Sequence, residues 1–294
     1  METSEHPVRF FHVCTDGTKN DDVFFCDEDY EQAQKIAAVA AFKTGVHVLV
    51  DCHMTTHSHF TVWCESKKQA QHFGDLFKHD YSIYVYDAHG VSGVYRGIPV
   101  TVREINDFWD LKHCIAYNLL NPVKAHVVAH PEEYRWSSFS CYFSPAKIQA
   151  IPLASMSVRA ACRLFHTHCD LRFSGLSVDE QGRVVLKSFI DYRFVERLFG
   201  SQTEFFKSLA LTDYAQEEMK YTPIIDTVRF SDDEIRAEAM VLARTYFGND
   251  SLANLTLEQK SRLLRPLRKK TLATAARLAR VLRINADLVK KLLG

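Results

Sequence analysis

The stretch Val46-His-Val-Leu-Val-Asp-Cys52, followed closely by His59-Phe-Thr-Val-Trp-Cys64, decides the fold of this chain. Both runs are rich in β-branched and aromatic residues, which favour β-strands. The connection that contains His53-Met-Thr-Thr is short, and parallel strands need a long crossover, so we expect an antiparallel hairpin. The hairpin places His57-Ser58-His59 at the start of its second strand.

Segments on either side of the hairpin extend the pattern. The sequence predicts further strands within 8–14 and 93–102, the latter at a sheet edge because of Pro99. Helices are expected at 27–42, at 66–84 after a Ser66 N-cap, and from Asn106 or Asp107 to about Leu120, where Asn121-Pro122 should end the helix. The resulting β-α-β-β-α-β-α order predicts an α+β fold with a ferredoxin-like antiparallel sheet.

The composition indicates a globular protein without a membrane span. The chain has 294 residues, 47% of them apolar, and no apolar run approaches eighteen residues. Its first residues lack the basic and apolar segments of a signal peptide. Eight cysteines form no CxxC pair and are expected to be reduced thiols. These features together predict a cytoplasmic protein.

Charge is distributed unevenly along the chain. Residues 1–144 carry 12 Lys and Arg against 19 Asp and Glu, and residues 145–253 carry 13 against 15. Residues 254–294 carry 11 against 2. We therefore expect three parts: a sheet domain, a helical middle region of unknown role, and a basic tail. Such a tail suggests contact with nucleic acid, although a merely soluble charged tail has the same composition.

The basic tail has the sequence pattern of two short helices. Residues 272–280 and 285–293 are expected to be helices, separated by a turn at 281–284, with Asn285 as the N-cap of the second helix. The apolar spacing fits a helix-turn-helix, whereas Arg283 stands where that turn often has glycine. An ordinary basic helical hairpin remains the alternative.

Two short clusters suggest chemistry. Residues two apart on a strand point to the same side, so His57 and His59 are expected to present their imidazoles together. Residues four apart share a helix face, so Tyr117 and Asn121 are expected to stand one above the other. Two imidazoles, an amide oxygen and a phenol in one place would form a metal site beside a nucleophile, which suits cleavage of a phosphodiester.

Longer motifs around these clusters resemble the single-tyrosine HUH transposases of bacterial insertion sequences, and especially the REP-associated tyrosine transposases. His57-Ser-His59 stands where that family has His-hydrophobic-His. The stretch Tyr117-Asn-Leu-Leu-Asn-Pro-Val-Lys-Ala125 resembles the family's Tyr-Ile-x-Leu-Asn-Pro-Val-Arg-Ala. It is followed by His130-Pro-Glu-Glu-Tyr-Arg-Trp-Ser-Ser138, which resembles Pro-Glu-x-Tyr-x-Trp-Ser-Ser. The resemblance covers residues 8–143.

The resemblance implies a DNA transposase that cuts and rejoins single strands. It implies that His57, His59 and Asn121 bind Mg²⁺ or Mn²⁺, and that Tyr117 attacks phosphorus to give a 5′-phosphotyrosine. The implied partner is single-stranded or hairpin DNA, and the implied protein is a monomer or a homodimer. Candidate phosphate contacts are Arg96, Arg103, Lys112, Lys124 and Arg135, with Arg277, Arg280, Lys290 and Lys291 in the tail. Any one of them could equally be a solvated surface charge.

Departures from the family pattern keep a second function open. Ser58 replaces an apolar residue and should face the core, where its hydroxyl needs a partner. Thr55-Thr56 replaces Pro-Asn before the first histidine, and residues 1–144 are net acidic. The alternative is a DNA-binding regulator derived from a transposase that cuts weakly or not at all.

Other candidate sites have simpler structural explanations. Cys162, His166, His168 and Cys169 could ligate zinc, but a buried cysteine with surface histidines explains them as well. His53 could support the metal site, although a loop histidine is the simpler interpretation. Residue type alone offers four rival nucleophiles, which lack an Asn partner four positions later: Tyr81, Tyr84, Tyr86 and Tyr95.

Overall fold

The computed structural model describes residues 8–15, 22–145, 149–211, 232–249, 251–271, 273 and 275–293. The chain divides into two compact units, Met1–Asp226 and Thr227–Gly294. Residues 149–211 therefore belong to the same unit as the sheet, and residues 232–249 belong to the second unit. The division at 144/145 and 253/254 stays a prediction about the roles of these segments.

The first unit is built on a four-stranded antiparallel sheet with the strand order β2-β3-β1-β4. The mixed α+β class is thereby confirmed, and its finer assignment as ferredoxin-like stays a prediction. The elements, in chain order, are β1 (Arg9–Thr15), α1 (Asp27–Thr44), β2 (His47–Met54), β3 (His57–Cys64), α2 (Lys67–His89), β4 (Val100–Ile105) and α3 (Phe108–Lys124).

Helices cover both faces of this sheet. Phe60 of β3 packs against Phe73 and Phe77 of α2, and α2 packs in turn along α1. The next strand residue, Thr61, points the opposite way and contacts Cys114 and Asn118 of α3. Because successive strand residues alternate, β3 is buried on both sides and separates the α1–α2 layer from the α3 layer.

The outer edge of β2 is covered by the segment that follows α3. Ser138 Oγ accepts a hydrogen bond from the Asp51 amide at 3.0 Å, and the His53 amide donates to the Trp136 carbonyl at 2.9 Å. The hydroxyls of Tyr134 and Tyr142 donate to backbone carbonyls of the same strand. The motif of residues 130–138 therefore satisfies the backbone of β2, which would otherwise be an open edge.

The remainder of the first unit is less regular. It comprises β5 (Ile151–Pro152), α4 (Val158–Leu164), β6 (Ser177–Val178), α5 (Tyr192–Phe199) and α6 (Gln202–Leu211), with short 3₁₀ helices at 131–133, 138–141, 153–155 and 186–188. A small core around Leu153, Phe165 and Leu171 packs against Ala38 and Val39 of α1. The helical sequence pattern of residues 186–198 is thus divided between the 3₁₀ turn at 186–188 and α5, whereas that of residues 203–211 forms α6.

The second unit consists of α7 (Asp232–Phe247), α8 (Leu257–Thr271), α9 (Ala275–Leu282) and α10 (Ala286–Leu293), with a 3₁₀ turn at 252–254. Arg283, between α9 and α10, has the positive φ of 52° that usually favours glycine. Asn285 accepts a hydrogen bond from the Leu288 amide, which confirms it as an N-cap. The assignment as a helix-turn-helix stays a prediction.

Several boundaries differ from the sequence prediction for physical reasons. Pro122 does not end α3, which continues to Lys124, because a proline near the last turn removes only one backbone donor. The edge strand begins after Pro99 rather than around it. His53 lies within β2 and not in a loop. Within the described residues, no helix is long and apolar enough to cross a membrane.

We expect Gly74→Ala to destabilise the first unit. A Cβ at Gly74 would lie 2.5 Å from Val100 Cγ1 and 2.8 Å from Val13 Cγ1, at the contact between α2 and the sheet. Alanine favours helix by about 1 kcal/mol, but overpacking costs about 1–3 kcal/mol, so a net loss is expected. Chemical denaturation measures it, with the exposed neighbour variant Asp75→Ala as the control. A gain in stability would show that the helix can shift.

Candidate functional site

Three histidines form a continuous row on the α3 side of the sheet. His57 and His59 alternate along β3, and their Nε2 atoms are 2.8 Å apart. His12 of β1 contacts the second ring nitrogen of His59. The distance from His12 Nε2 to His59 Nδ1 is 3.1 Å, and the two rings are stacked. All three side chains are buried. The predicted pairing of His57 and His59 is thus present, together with a third imidazole that the sequence interpretation missed.

Helix α3 carries Tyr117 to this row. Asp107 caps the helix by accepting from the Asp110 amide, as the sequence suggested. Asn118 Nδ2 donates to Thr61 Oγ1 at 2.8 Å, which fixes the rotation of the helix over β3. The Tyr117 ring then lies edge-on to His59 and His12, with centroid separations of 6.2 and 6.3 Å.

A cation lies over the face of the candidate nucleophile. Lys124 Nζ is 4.0 Å from the centroid of the Tyr117 ring, a distance typical of a cation–π contact. The contact places the ammonium group of Lys124 directly beside the candidate nucleophile. Lys124 is therefore placed to assist Tyr117 as well as a phosphate.

The side chain of Asn121 is suitable for binding a metal ion. It lies one helical turn beyond Tyr117, is 2% exposed, and neither of its amide atoms has a hydrogen-bond partner among the described residues. Leaving a buried amide unsatisfied costs about 1–3 kcal/mol, so such groups usually serve a ligand or a water molecule. Two imidazole nitrogens with an amide oxygen fit Mn²⁺ or Mg²⁺ completed by water and phosphate oxygens.

Ser58 has the partner that its burial requires. Its hydroxyl lies 2.7 Å from His53 Nδ1, and His53 Nε2 lies 2.7 Å from Asp51 Oδ1. All three side chains are completely buried on the α1–α2 side of the sheet. The unusual serine between the two candidate metal ligands is thus part of a polar network on the opposite face, as expected for a residue that points away from the metal.

The altered connection before His57 also has a structural role. Thr56 Oγ1 lies 2.8 Å from His57 Nδ1, so it can hold the ring with Nε2 turned towards His59. The Thr55 carbonyl accepts hydrogen bonds from the amides of Val23 and Phe24. Thr56 can therefore orient the first histidine through its hydroxyl, and the Thr55 backbone carbonyl holds residues 23–24 against the connection.

The rival tyrosines are poorly suited to act as nucleophiles. Burial raises the pKa of Tyr81 and of Tyr95 well above the ordinary value. Burial, followed by its hydrogen bond to Asp29, raises the pKa of Tyr84 in the same direction. Tyr86 is exposed on α2, which packs on the side of the sheet opposite the histidine row. Among the described tyrosines, Tyr117 is the one that contacts the histidine row.

The basic side chains that the sequence suggested as phosphate contacts differ in exposure and in the residues they contact. Arg96 is exposed in the loop before β4, whereas Arg135 is held by Asp27 and Glu31 and stacks over Trp136. Arg103 lies opposite His12 in the β1–β4 pairing, on the histidine side of the sheet. Lys112 lies over the ring of Phe199.

In the second unit, the side chains of Arg280, Lys290 and Lys291 are exposed. Arg277, in contrast, is only 7% exposed and belongs to the interior of the unit. Its suggested contact with phosphate stays a prediction.

Within the described residues, the zinc candidate formed by Cys162, His166, His168 and Cys169 does not converge to a set of metal ligands. Cys162 Sγ donates to the Cys169 carbonyl at 3.4 Å, which accounts for that side chain as a structural group. A convergent group of three metal-ligating side chains occurs in the described part of the chain at Cys26, Asp29 and His89. No local pattern in the sequence indicated this group, because His89 is far from the other two along the chain.

No protein-family model matches this chain, and no curated protein matches it. Among solved structures, a REP-associated tyrosine transposase bound to a REP hairpin is similar over 46% of this chain and 78% of that chain. The sequence identity is 15% and the TM-score is 0.34. A TM-score of this size establishes neither a shared fold nor a shared function.

We expect Ser58→Ala to lower the free energy of unfolding by about 1–3 kcal/mol, because His53 Nδ1 would lose its buried partner. Denaturant titration followed by circular dichroism measures the effect. Ser92→Ala, at an exposed loop position, is the control and should change stability by less than about 0.5 kcal/mol. Equal stability of the two variants would contradict the role assigned to the Ser58–His53 contact.

Proposed function

We propose that this protein cuts and rejoins single-stranded DNA through a covalent bond to Tyr117, in the manner of a tyrosine transposase. The observation that carries the proposal is that the rings of His12 on β1 and His59 on β3 both lie edge-on to the ring of Tyr117 on α3, with His57 in contact with His59. The expected substrate is single-stranded DNA beside a hairpin, which follows from the motif resemblance.

The proposed reaction is an exchange of phosphodiester bonds. The phenolic oxygen of Tyr117 forms a bond to phosphorus while the bond from phosphorus to the 3′ oxygen breaks. The phenol loses its proton, and the departing 3′ oxygen takes one up. A free phenol has a pKa of about 10, so it requires local help to react at neutral pH. The ammonium group of Lys124 supplies part of that help by stabilising the developing phenolate.

The proposed metal ligands are His57, His59 and Asn121. A bound Mg²⁺ or Mn²⁺ would polarise the scissile phosphate and withdraw charge from it. The chain itself prepares the ligands: Thr56 orients His57, and His12 orients His59 by contact with its second ring nitrogen. Because the phosphotyrosine linkage conserves the energy of the broken bond, a 3′-hydroxyl can attack it and rejoin strands without a nucleotide cofactor.

A specific observation favours the second candidate function, a DNA-binding regulator that does not cut. Tyr117 is 7% exposed, His57 is 1% exposed and His59 is fully buried. A scissile phosphate reaches Tyr117 only if α3 or the segments around it move. A protein in which that opening no longer occurs would bind DNA through its surface and leave it intact.

The nuclease proposal predicts a covalent adduct. The full-length protein is incubated with Mg²⁺ or Mn²⁺ and a labelled single-stranded oligonucleotide that carries a hairpin, and products are separated under denaturing conditions. The wild type and Tyr86→Phe, the exposed-tyrosine control, should form the adduct. Tyr117→Phe should abolish it, because the nucleophile is absent.

The metal assignment has its own test in the same assay. His57→Ala and Asn121→Ala should each reduce adduct formation by about 100-fold or more, since even indirect partners of a metal site contribute about 10–100-fold. An adduct that persists in His57→Ala would contradict the metal assignment. Binding without an adduct in the presence of either metal would instead support the regulator.

The basic tail should contribute electrostatic affinity for DNA. For the double variant Lys290→Ala/Lys291→Ala, the slope of log K against log salt concentration for duplex DNA should decrease by about 2, because each phosphate contact contributes about 0.9. Lys207→Ala, which removes an exposed lysine from the first unit, is the control. An unchanged slope in the double variant would show that these two lysines do not contact phosphate.

A further inference from the structure

A second group of metal-ligating side chains lies where α1 begins and α2 ends. Cys26 is the N-cap residue of α1, Asp29 lies in its first turn, and His89 is the last residue of α2. The Cys26 Sγ, a carboxylate oxygen of Asp29 and a ring nitrogen of His89 all lie within 4.8 Å of one another. This group shares no residue with the histidine row on the other side of the sheet.

The Asp29 carboxylate is rigid, and its two oxygens have different surroundings. Its Oδ2 accepts hydrogen bonds from the amides of Phe25 and Cys26, at 2.6 and 3.1 Å, which is the usual role of a carboxylate at the start of a helix. Its Oδ1 accepts from the Tyr84 hydroxyl at 2.9 Å and lies 2.7 Å from His89 Nε2. Helix capping accounts for Oδ2, but it does not require an imidazole at Oδ1 or a thiol close to both groups.

We propose that Cys26, Asp29 and His89 bind a zinc ion. Thiolate, imidazole and carboxylate are the three ligand types that Zn²⁺ prefers, and a thiolate disfavours Mg²⁺ and Ca²⁺. Asp29 is fully buried, whereas Cys26 is exposed and the His89 side chain is 27% exposed, so an ion can enter from solvent. On binding, the Cys26 thiol releases its proton to solvent, His89 presents its neutral Nε2, and water completes the tetrahedron.

The proposed ion would tie together two helices and the segment that precedes them. Val23 and Phe24, just before Cys26, donate their amide hydrogens to the Thr55 carbonyl at 2.9 and 3.3 Å. The Tyr81 hydroxyl of α2 donates to the Val23 carbonyl at 2.8 Å. The site would therefore brace the connection that leads into His57, while its existence does not depend on whether Tyr117 cuts DNA.

Cobalt(II) provides a direct probe, because a thiolate bound to Co²⁺ gives a charge-transfer absorption in the near ultraviolet. Full-length protein is titrated with Co²⁺ and then with Zn²⁺, which should displace it. We expect one equivalent to produce the band in the wild type. Cys26→Ser should abolish the band, and His89→Ala should weaken Co²⁺ binding by about 10–100-fold or more. Cys162→Ser, at another partly exposed cysteine, should retain the band.

The choice of Cys26→Ser keeps the test independent of folding. Serine is among the preferred N-cap residues, so this variant should fold at least as well as the wild type without metal. Added Zn²⁺ should raise the melting temperature of the wild type and of Cys162→Ser, but not that of Cys26→Ser. The absence of a band in the wild type, its survival in Cys26→Ser, or an equal zinc-induced shift in Cys26→Ser would each overturn the proposal.

Discussion

Strand β3 is buried on both faces, and nearly every other feature of the first unit depends on that constraint. A buried polar group is costly unless it is paired, and β3 carries polar side chains in both directions. On one side, Ser58 contacts His53, which contacts Asp51 in turn. On the other side, His57 contacts Thr56 and His59, and His59 also contacts His12. Both layers of helices thus pack over buried polar side chains that contact one another within the sheet.

The same constraint explains how Tyr117 is positioned. Helix α3 covers the polar side of β3, so it must supply partners as well as apolar surface, and Asn118 does so through Thr61. That hydrogen bond determines which face of α3 is turned towards β3. Tyr117 therefore lies near the rings of His59 and His12, and Asn121 is buried one turn later. A helix held only by apolar contacts could rotate with little penalty, whereas this one would lose a buried hydrogen bond.

Local sequence patterns predicted the structural features that depend on residues close together along the chain. The hairpin, the sharing of a face by His57 and His59, and the caps Ser66, Asp107 and Asn285 all follow from short-range geometry. Contacts between distant segments could not be inferred this way. Only the pairing of β1 with β3 brings His12 to His59, and only the packing of α1 along α2 brings His89 to Cys26. The burial of Arg277 likewise depends on how the helices of the second unit pack.

The covered edge of β2 has a consequence for protein synthesis. Its partners Ser138 and Tyr142 lie 87 and 93 residues away along the chain from Asp51 and Leu49. During translation the β2–β3 hairpin therefore leaves the ribosome long before the segment that protects its outer backbone. For that interval an apolar strand edge is open to other nascent chains. The risk of aggregation through this edge therefore lasts until about the first 140 residues have been made.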